Sequence, residues 1–197
     1  NHRIQIDDQI SISSEYRNLK KEKKYHFNRN SKKEIDEMII YQDDELLILN
    51  KPPGIAVQGG TKIKKSIDTL LKSSFKSLKT RLVHRLDKDT SGILIIALNR
   101  QIADHMSYLF REKEITKNYW ALNVGKLKIG KGTINKEIKK KNSKTYYEAL
   151  TEYNNYMKIN NNLNFIIFKP ITGRNHQIRI HSKELGIPIL GDKRYGN

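Results

Sequence analysis

His84-Arg85-Leu86-Asp87-Lys88-Asp89-Thr90-Ser91-Gly92 is a dense polar stretch that leads directly into the apolar run 93–98. Two carboxylates, two cations, two hydroxyls and a glycine at the start of a predicted buried strand are too polar for a core and too dense for an idle linker. One explanation is a well-capped turn, since Asp, Ser and Thr side chains commonly satisfy backbone groups before a strand. The other is a functional loop, and the stretch alone leaves both open.

The length and composition describe one principal globular domain. With 197 residues, of which 37% are hydrophobic and 30% charged, the chain can build one proper core under a heavily charged surface. No apolar run approaches the roughly 18 residues of a membrane-spanning helix. The absence of cysteine excludes disulfides, thiol nucleophiles and cysteine-ligated zinc. The expected location is the cytoplasm.

The charge balance points to a polyanionic partner. The chain has 38 Lys and Arg residues against 21 Asp and Glu residues, a net charge of +17. Such a field supplies the sequence-independent part of nucleic-acid affinity. The alternative is a genome of low GC content, which would also explain the many Asn, Ile and Lys residues.

Hydrophobic periodicity predicts an α+β fold, with a mixed, largely antiparallel sheet flanked by helices. Ser66 is the expected N-cap of the first predicted helix. The lysine-rich segment 126–144 is expected to be a solvated loop able to contact phosphate, and residues 13–36 a basic linker before the domain 37–197. The predicted elements are a hairpin over 38–41 and 46–49, helices over 66–75, 101–112 and about 175–186, strands over 93–98 and 119–124, and paired strands over 145–153 and 163–168.

Three polar clusters lie at the ends of these predicted elements, where scaffolds usually present functional side chains. They are Arg85 with Asp87, then Tyr119, then the group Arg174, His176, Gln177, Arg179 and His181. A metal site is disfavoured, because His176 and His181 would lie about 140° apart around a helix, and no H-E-x-x-H pattern occurs. A G-x-S-x-G elbow and a phosphate loop are also missing.

The remaining set suits chemistry on a nucleobase withdrawn from its helix. Cations would hold the RNA backbone, an aromatic ring would stack on the base, and a carboxylate would attack or stabilise the sugar. In so positive a chain we expect Asp87 to carry its negative charge, as a nucleophile or an electrostatic partner requires.

The joint motifs resemble the ribosomal large-subunit pseudouridine synthases of the RluA/RluC/RluD type. The resemblance runs from about Met38 to the end of the chain, and 57–60, Val-Gln-Gly-Gly, is most similar to the RluC branch. The segments that carry the resemblance are Asn50-Lys51-Pro52-Pro53-Gly54-Ile55-Ala56-Val57, 84–92, Lys117-Asn118-Tyr119, 172–181 and 186–196.

This resemblance implies isomerisation of uridine in large-subunit ribosomal RNA, with the C–N glycosidic bond broken, the uracil turned and a C5–C1′ bond formed. It implies no metal or organic cofactor. Asp87 matches the catalytic aspartate, and Tyr119 matches the tyrosine that packs on the target base. Arg179 matches the basic residue that pairs with the aspartate, and Arg85 the arginine that replaces the flipped nucleotide.

The other candidates are expected to support RNA binding or the local fold. Four residues are predicted to bind RNA: His84, Arg174, His176 and Gln177. For the last three the expected role is to fix the turn and the helix start or to contact the RNA backbone, and not to take part in the chemistry. Four further residues are expected to form or support turns and the edge of the core: Asp89, Thr90, Asp192 and Tyr195.

Some features depart from the family pattern or leave alternatives open. Residues 1–12 resemble the tail of an S4-type RNA-binding domain, the chain stops before the expected final strand, and segment 134–145 is shorter than its counterparts. The expected oligomeric state is a monomer. Two rival functions remain: a non-catalytic ribosomal-RNA-binding or ribosome-assembly module that uses the same basic surface, and a nucleobase-directed hydrolase that releases free uracil.

Overall fold

The computed structural model describes residues 28–60, 63, 65–75, 79–150 and 163–196, so the expected S4-like remnant at 1–12 lies outside the described residues. Within these ranges the chain forms four helices and eight strands, which confirms the α+β class. The helices are α1 (Arg29–Asp36), α2 (Ile67–Ser74), α3 (Arg100–Arg111) and α4 (Gln177–Glu184); the strands are β1 (Ile39–Gln42), β2 (Leu46–Lys51), β3 (Arg81–Leu82), β4 (Gly92–Ala97), β5 (Tyr119–Val124), β6 (Lys131–Ile138), β7 (Lys141–Ala149) and β8 (Leu163–Pro170).

The first sheet has the order β1-β2-β4-β3, and its neighbouring strands are antiparallel. The apolar run after the polar stretch forms the inner strand β4, as predicted. Leu47 and Leu49 of β2 and Leu94 and Ile96 of β4 are fully buried, because alternate residues of both strands face the same core. The expected hairpin of β1 and β2 is also confirmed.

Helix α2 covers this core and begins at the predicted N-cap. The Ser66 hydroxyl accepts from the Thr69 backbone N–H at 3.3 Å, and the Thr69 hydroxyl accepts from the Ser66 N–H at 2.9 Å. This reciprocal capping box satisfies two of the free donors at the helix start. Ile67, Leu70 and Leu71 then face the core.

Helix α1 corrects the expectation of a basic linker over 13–36. Residues 29–36 are helical, with the Asn28 side chain accepting from the backbone N–H groups of Asn30 and Ser31. Ile35 is fully buried in the first core, and α1 packs against α2. One buried apolar residue in eight leaves almost no periodic signal, so the charged composition of this segment hid the helix.

The second sheet has the order β5-β8-β7-β6 and is also antiparallel. The expected pairing of the strands on either side of 151–162 is confirmed. The expected loop over 126–144 is wrong from residue 131 onwards, since 131–138 and 141–149 form a hairpin. Two of its five buried residues, Ser143 and Thr145, are polar, which obscures the alternation that predicts strands. The other three are Ile134, Ile138 and Tyr147.

Tyr119, the first residue of β5, packs against the cores of both sheets. It therefore lies where the two halves of the described fold meet. None of the helices in the described ranges has the length and apolar composition needed to cross a membrane.

Candidate active site

The polar stretch 84–92 connects β3 to β4 and carries the candidate aspartate. Leu86 is buried in the first core, whereas Asp87 is half-buried and Arg85 is exposed. The Thr90 N–H donates to the Asp87 carbonyl at 3.1 Å, and Gly92 then enters β4 with a φ of +115°, a conformation that favours glycine. The buried leucine thus fixes the loop while its neighbours remain accessible.

Lys51 fixes this loop from its buried side, a role that was not predicted from the sequence. Its side chain is fully buried, and Nζ donates to the carbonyls of Pro52 at 2.8 Å, Ile55 at 2.8 Å and Lys88 at 3.0 Å. The Gly54 N–H also donates to the Lys88 carbonyl, at 2.9 Å. Lys51 therefore ties the Asn50–Val57 motif to the loop that carries Asp87.

The electrostatics of Lys51 explain why the lysine is tolerated there. Burial lowers the pKa of its ammonium group, and the charges of Asp89 and Asp87 act in the opposite direction. Three carbonyl acceptors use all three ammonium protons, which offsets the cost of burial. The signal in the sequence was the alternation of Leu47, Leu49 and Lys51, since a period of two puts the lysine on the buried face of β2.

His84 makes its contacts within the protein. Its ring stacks on Phe110 of α3, with centroids 4.6 Å apart, and its Nε2 accepts from the Ile95 N–H of β4 at 2.8 Å. Burial, and then the charge of Lys117, lower the pKa of His84 to about 4. His84 is thus a neutral acceptor that fixes the start of the loop to β4, and its RNA contact stays a prediction.

His84 makes the stability of the fold dependent on pH. The unfolded chain protonates His84 below its ordinary pKa of 6.5, whereas the folded chain does so only near 4. The free energy of unfolding is therefore expected to fall as the pH drops from 6.5 to 4, with His84 contributing roughly 3 kcal/mol at most. Urea unfolding at several pH values should show a shallower dependence for His84→Gln, which keeps an acceptor but cannot titrate.

The exposed His105 of α3 provides the matched control for this measurement. His105→Gln removes an imidazole without touching the loop, so the pH profile should keep the wild-type shape. A His84→Gln profile as steep as that of the wild type would contradict the assignment.

Tyr119 lies within electrostatic range of Asp87. Burial raises the pKa of its hydroxyl, and the charge of Asp87 raises it further. Tyr119 is therefore a neutral phenol at physiological pH. Its ring, half-buried between the two cores, is fixed in position beside the loop.

Arg179 of α4 has its direct partner in Asp192. Nε donates to Oδ2 and Nη2 to Oδ1, both at 2.7 Å, and only 3% of the Asp192 side chain is exposed. Oδ1 of Asp192 also accepts from the backbone N–H groups of Arg194 at 3.0 Å and Tyr195 at 3.1 Å. The guanidinium lies 5.0 Å from the centre of the Tyr195 ring. These contacts fix Arg179 in one orientation.

The resemblance implies a pairing of Arg179 with Asp87. In the structure Arg179 makes its hydrogen bonds with Asp192 and interacts with Asp87 through charge. Hydrogen bonds from Arg179 hold the pKa of the Asp192 carboxyl well below its usual range in spite of burial. The pKa of Arg179 is raised chiefly by Asp192, with a further contribution from Asp87. Asp192 thus makes the bidentate pair and leaves the positive field of Arg179 to act on Asp87.

His176 completes the group around Asp87. Burial lowers the pKa of His176, while the charge of Asp87 raises it. The residue precedes α4 in the left-handed conformation, with φ 56° and ψ 25°, and makes no side-chain cap to the helix. Its Nδ1 instead bonds to the Tyr195 hydroxyl at 3.0 Å. A non-glycine residue in this conformation stores strain, which is common at functional sites.

Gln177 and Arg174 fix the polar turn before α4. The Gln177 carbonyl oxygen accepts from the Thr172 hydroxyl at 2.7 Å and the Arg174 N–H at 2.9 Å. Its amide nitrogen donates to the Lys144 carbonyl at 3.0 Å and the Thr145 hydroxyl at 2.8 Å. Gln177 is buried and has no free donor or acceptor for RNA. Arg174 donates from Nε to the Asn142 carbonyl at 3.0 Å, so both residues support the turn-fixing interpretation.

Asp87 is the carboxylate whose charge acts on Tyr119, His176 and Arg179. Around it are a neutral tyrosine, an arginine held by a second carboxylate, a histidine and the exposed Arg85. Such a set can place a negative charge beside a sugar and an aromatic ring beside a base, in a chain that attracts polyanions. A set of this kind suits chemistry at a glycosidic bond.

Comparisons with known proteins find similar chains over most of the sequence. Residues 45–184 match the family model described as RNA pseudouridylate synthase. Ribosomal large subunit pseudouridine synthase C of Rickettsia felis is 43% identical over 178 residues, which cover 85% of this chain and 58% of the relative. The protein of the same name in Vibrio parahaemolyticus is 39% identical over 178 residues, covering 83% and 54%. These names agree with the resemblance to the RluC branch.

The solved structures give the same result. Human RNA Pseudouridylate Synthase Domain Containing 4 has a TM-score of 0.69 at 27% identity and covers 84% of this chain and 71% of that one. Human RNA Pseudouridylate Synthase Domain Containing 1 has a TM-score of 0.62 at 27% identity, covering 81% and 69%. The chain spans somewhat more than half the length of the curated relatives it matches.

Proposed function

The chain belongs to the RNA pseudouridylate synthase family, and from this we propose that it converts specific uridines of large-subunit ribosomal RNA to pseudouridine. The observation that carries the proposal is the arrangement around Asp87. Tyr119 and the Asp192-held Arg179 share its electrostatic environment, in a chain with a net charge of +17. The curated relatives with matching motifs are named for the same reaction on large-subunit RNA.

The proposed reaction is an isomerisation in which no atom is gained or lost. The N1–C1′ bond of the target uridine breaks, the uracil turns, and a C5–C1′ bond forms. The proton on C5 leaves and N1 gains one. Asp87 supplies the negative charge that traps or stabilises the electron-poor sugar while the base is detached. Because the reaction is redox-neutral and hydrolyses nothing, the proposal requires no co-reactant.

The surrounding residues have distinct proposed roles. The neutral ring of Tyr119 packs on the uracil and keeps it in place while it turns. Arg179, held in one orientation by Asp192, supplies a positive charge at a fixed position in the site. The exposed Arg85, two residues from Asp87, enters the RNA in place of the flipped nucleotide, because a vacated stack is costly to leave empty.

The wider organisation is also part of the proposal. Residues 37–197 form the catalytic domain, with α1 packed on it. The protein acts in the cytoplasm as a monomer, and its macromolecular partner is large-subunit ribosomal RNA. The choice of target uridine resides in RNA shape and in residues outside the site described here.

One experiment separates this function from its rivals. Unmodified large-subunit RNA is incubated with the chain, digested to nucleosides and chromatographed, and free bases are measured in parallel. We expect pseudouridine to appear in an amount equal to the uridine lost, without free uracil. Release of uracil would instead identify a hydrolase, and RNA binding without any change in nucleosides would identify an assembly module.

A further inference from the structure

The hairpin β6–β7 ends in a turn made of two lysines. Lys139 and Lys140 connect the strands, and both have positive φ, 52° and 58°. A two-residue hairpin turn with positive φ at both positions strongly favours Asn-Gly, because these residues tolerate the left-handed conformation. Lysine adopts it at a cost in backbone energy. Because Asn-Gly would avoid this cost, we infer that the two lysine side chains have a function at the turn.

Composition does not explain the two lysines. A genome of low GC content favours Asn as well as Lys, and this chain is rich in both. Asn at the first turn position would therefore satisfy the compositional bias and the backbone together. What lysine adds at the turn is positive charge.

The whole hairpin is strongly basic. Residues 131–144 contain six lysines and one glutamate, Glu137, a net charge of +5. Lys136 pairs with Glu184, and Lys144 lies 4.9 Å from the centre of the Tyr146 ring. The tip lysines 139–141 are exposed and form no ion pair with any other described residue. Their charges are thus available to an external anion.

The hairpin is joined to the candidate active site close to its tip, at the first residues of β7. The Lys144 carbonyl accepts from the Ile171 N–H at 3.0 Å, and the Lys144 N–H donates to the Thr172 hydroxyl at 3.0 Å. The Ser143 hydroxyl is bonded to buried His181 of α4 at 2.8 Å. Together with the bonds from Arg174 and Gln177, these contacts fix the hairpin to the turn that precedes Arg179. The tip therefore has a fixed position relative to Asp87.

We propose that Lys139, Lys140 and Lys141 form a binding site for the phosphodiester backbone of the substrate RNA, at a fixed distance from the target uridine. This inference rests on the proposed function, because it names a surface through which that RNA is held. Lys140 lies three to four residues from the attached residues Ser143 and Lys144, about 10 to 13 Å at 3.3 Å per residue, so the tip contacts phosphates close to the turn that precedes Arg179. Such contacts position RNA without reading its sequence.

The test uses a substitution that is expected to raise the stability of the fold and to lower its affinity for RNA. Lys139→Asn with Lys140→Gly gives the hairpin its preferred turn and removes two charges. We expect thermal unfolding at a higher temperature. RNA affinity should be weakened by about tenfold at 0.1 M salt, and the slope of log Kd against the logarithm of the salt concentration should fall by about 1 to 2. Affinity is measured for a large-subunit RNA transcript in the Asp87→Asn background, so that turnover does not affect it.

Lys33→Gln with Lys79→Gln removes the same charge from two exposed positions outside the hairpin and is the matched control. An affinity and salt dependence for the turn variant equal to those of this control would overturn the inference. A specific loss of affinity supports it even if the chain forms no pseudouridine, which is the separate failure of the proposed function. Conversely, pseudouridine formation with unchanged RNA affinity in the turn variant leaves the function in place and removes the hairpin from it.

Discussion

Asp87→Asn is expected to lower pseudouridine formation by at least about 10⁴-fold, the loss typical of removing a group that acts at the reacting bond. The amide has almost the same shape as the carboxylate, and the loop is held by Leu86 and Lys51, so the fold should be retained. RNA affinity should change less than about twofold, because one neutralised carboxylate adds little to a net charge of +17. Single-turnover kinetics and RNA binding are measured on the same preparations.

Asp89→Asn is the matched control for this loss. Asp89 belongs to the same loop and also acts on buried Lys51, but it is exposed and assigned to the turn. Its variant is expected to remain within about tenfold of wild-type activity. Substantial pseudouridine formation by Asp87→Asn would remove the aspartate from the chemistry.

Asp192→Asn is expected to reduce kcat by about 10²-fold with little change in KM. The amide keeps an oxygen for the backbone N–H groups of Arg194 and Tyr195 but loses the charge that holds Arg179 bidentately. A small displacement of a charged group near the reacting atoms costs about this much. Asp192 is a positioning residue, since its contacts are with Arg179 and not with the proposed substrate.

Two comparisons separate positioning from a general loss of stability. Asp43→Asn alters a carboxylate that likewise accepts from two turn N–H groups, those of Glu45 and Leu46, and should lower stability without changing kcat. The double variant Asp192→Asn with Arg179→Lys should be no slower than the slower single variant, because both act through one pair. Additive losses in kcat would show that Asp192 does not act through Arg179.

Much of the fold could be predicted where local and global signals agree. The run after Gly92 is apolar throughout because β4 is an inner strand, and Ser66 caps α2 because serine supplies the acceptor that a helix start lacks. The second hairpin was missed because its inward positions include Ser143 and Thr145, which are buried through hydrogen bonds to His181 and not through apolar contact. Patterns of hydrophobicity cannot register polar side chains that are buried in this way.

The candidate site residues could be named from the sequence, but their hydrogen-bond partners could not. The motifs brought Asp87, Tyr119 and Arg179 together, and the electrostatics of the structure relate all three. Arg179 and Asp192 are separated by the turn after α4, and only the folded chain shows that they make the bidentate pair. Lys51 was missed for a related reason, since its partners are backbone carbonyls, which no sequence motif identifies.

We propose that the chain isomerises uridine within large-subunit ribosomal RNA and that Asp87 is essential for this reaction. The most direct test maps pseudouridines along that RNA with a pseudouridine-specific chemical probe, after incubation with the wild-type chain or with Asp87→Asn. We expect modification at a few defined positions with the wild-type chain and at none of them with the variant. The same positions modified by both proteins, or no modification by the wild-type chain while it binds the RNA, would contradict it.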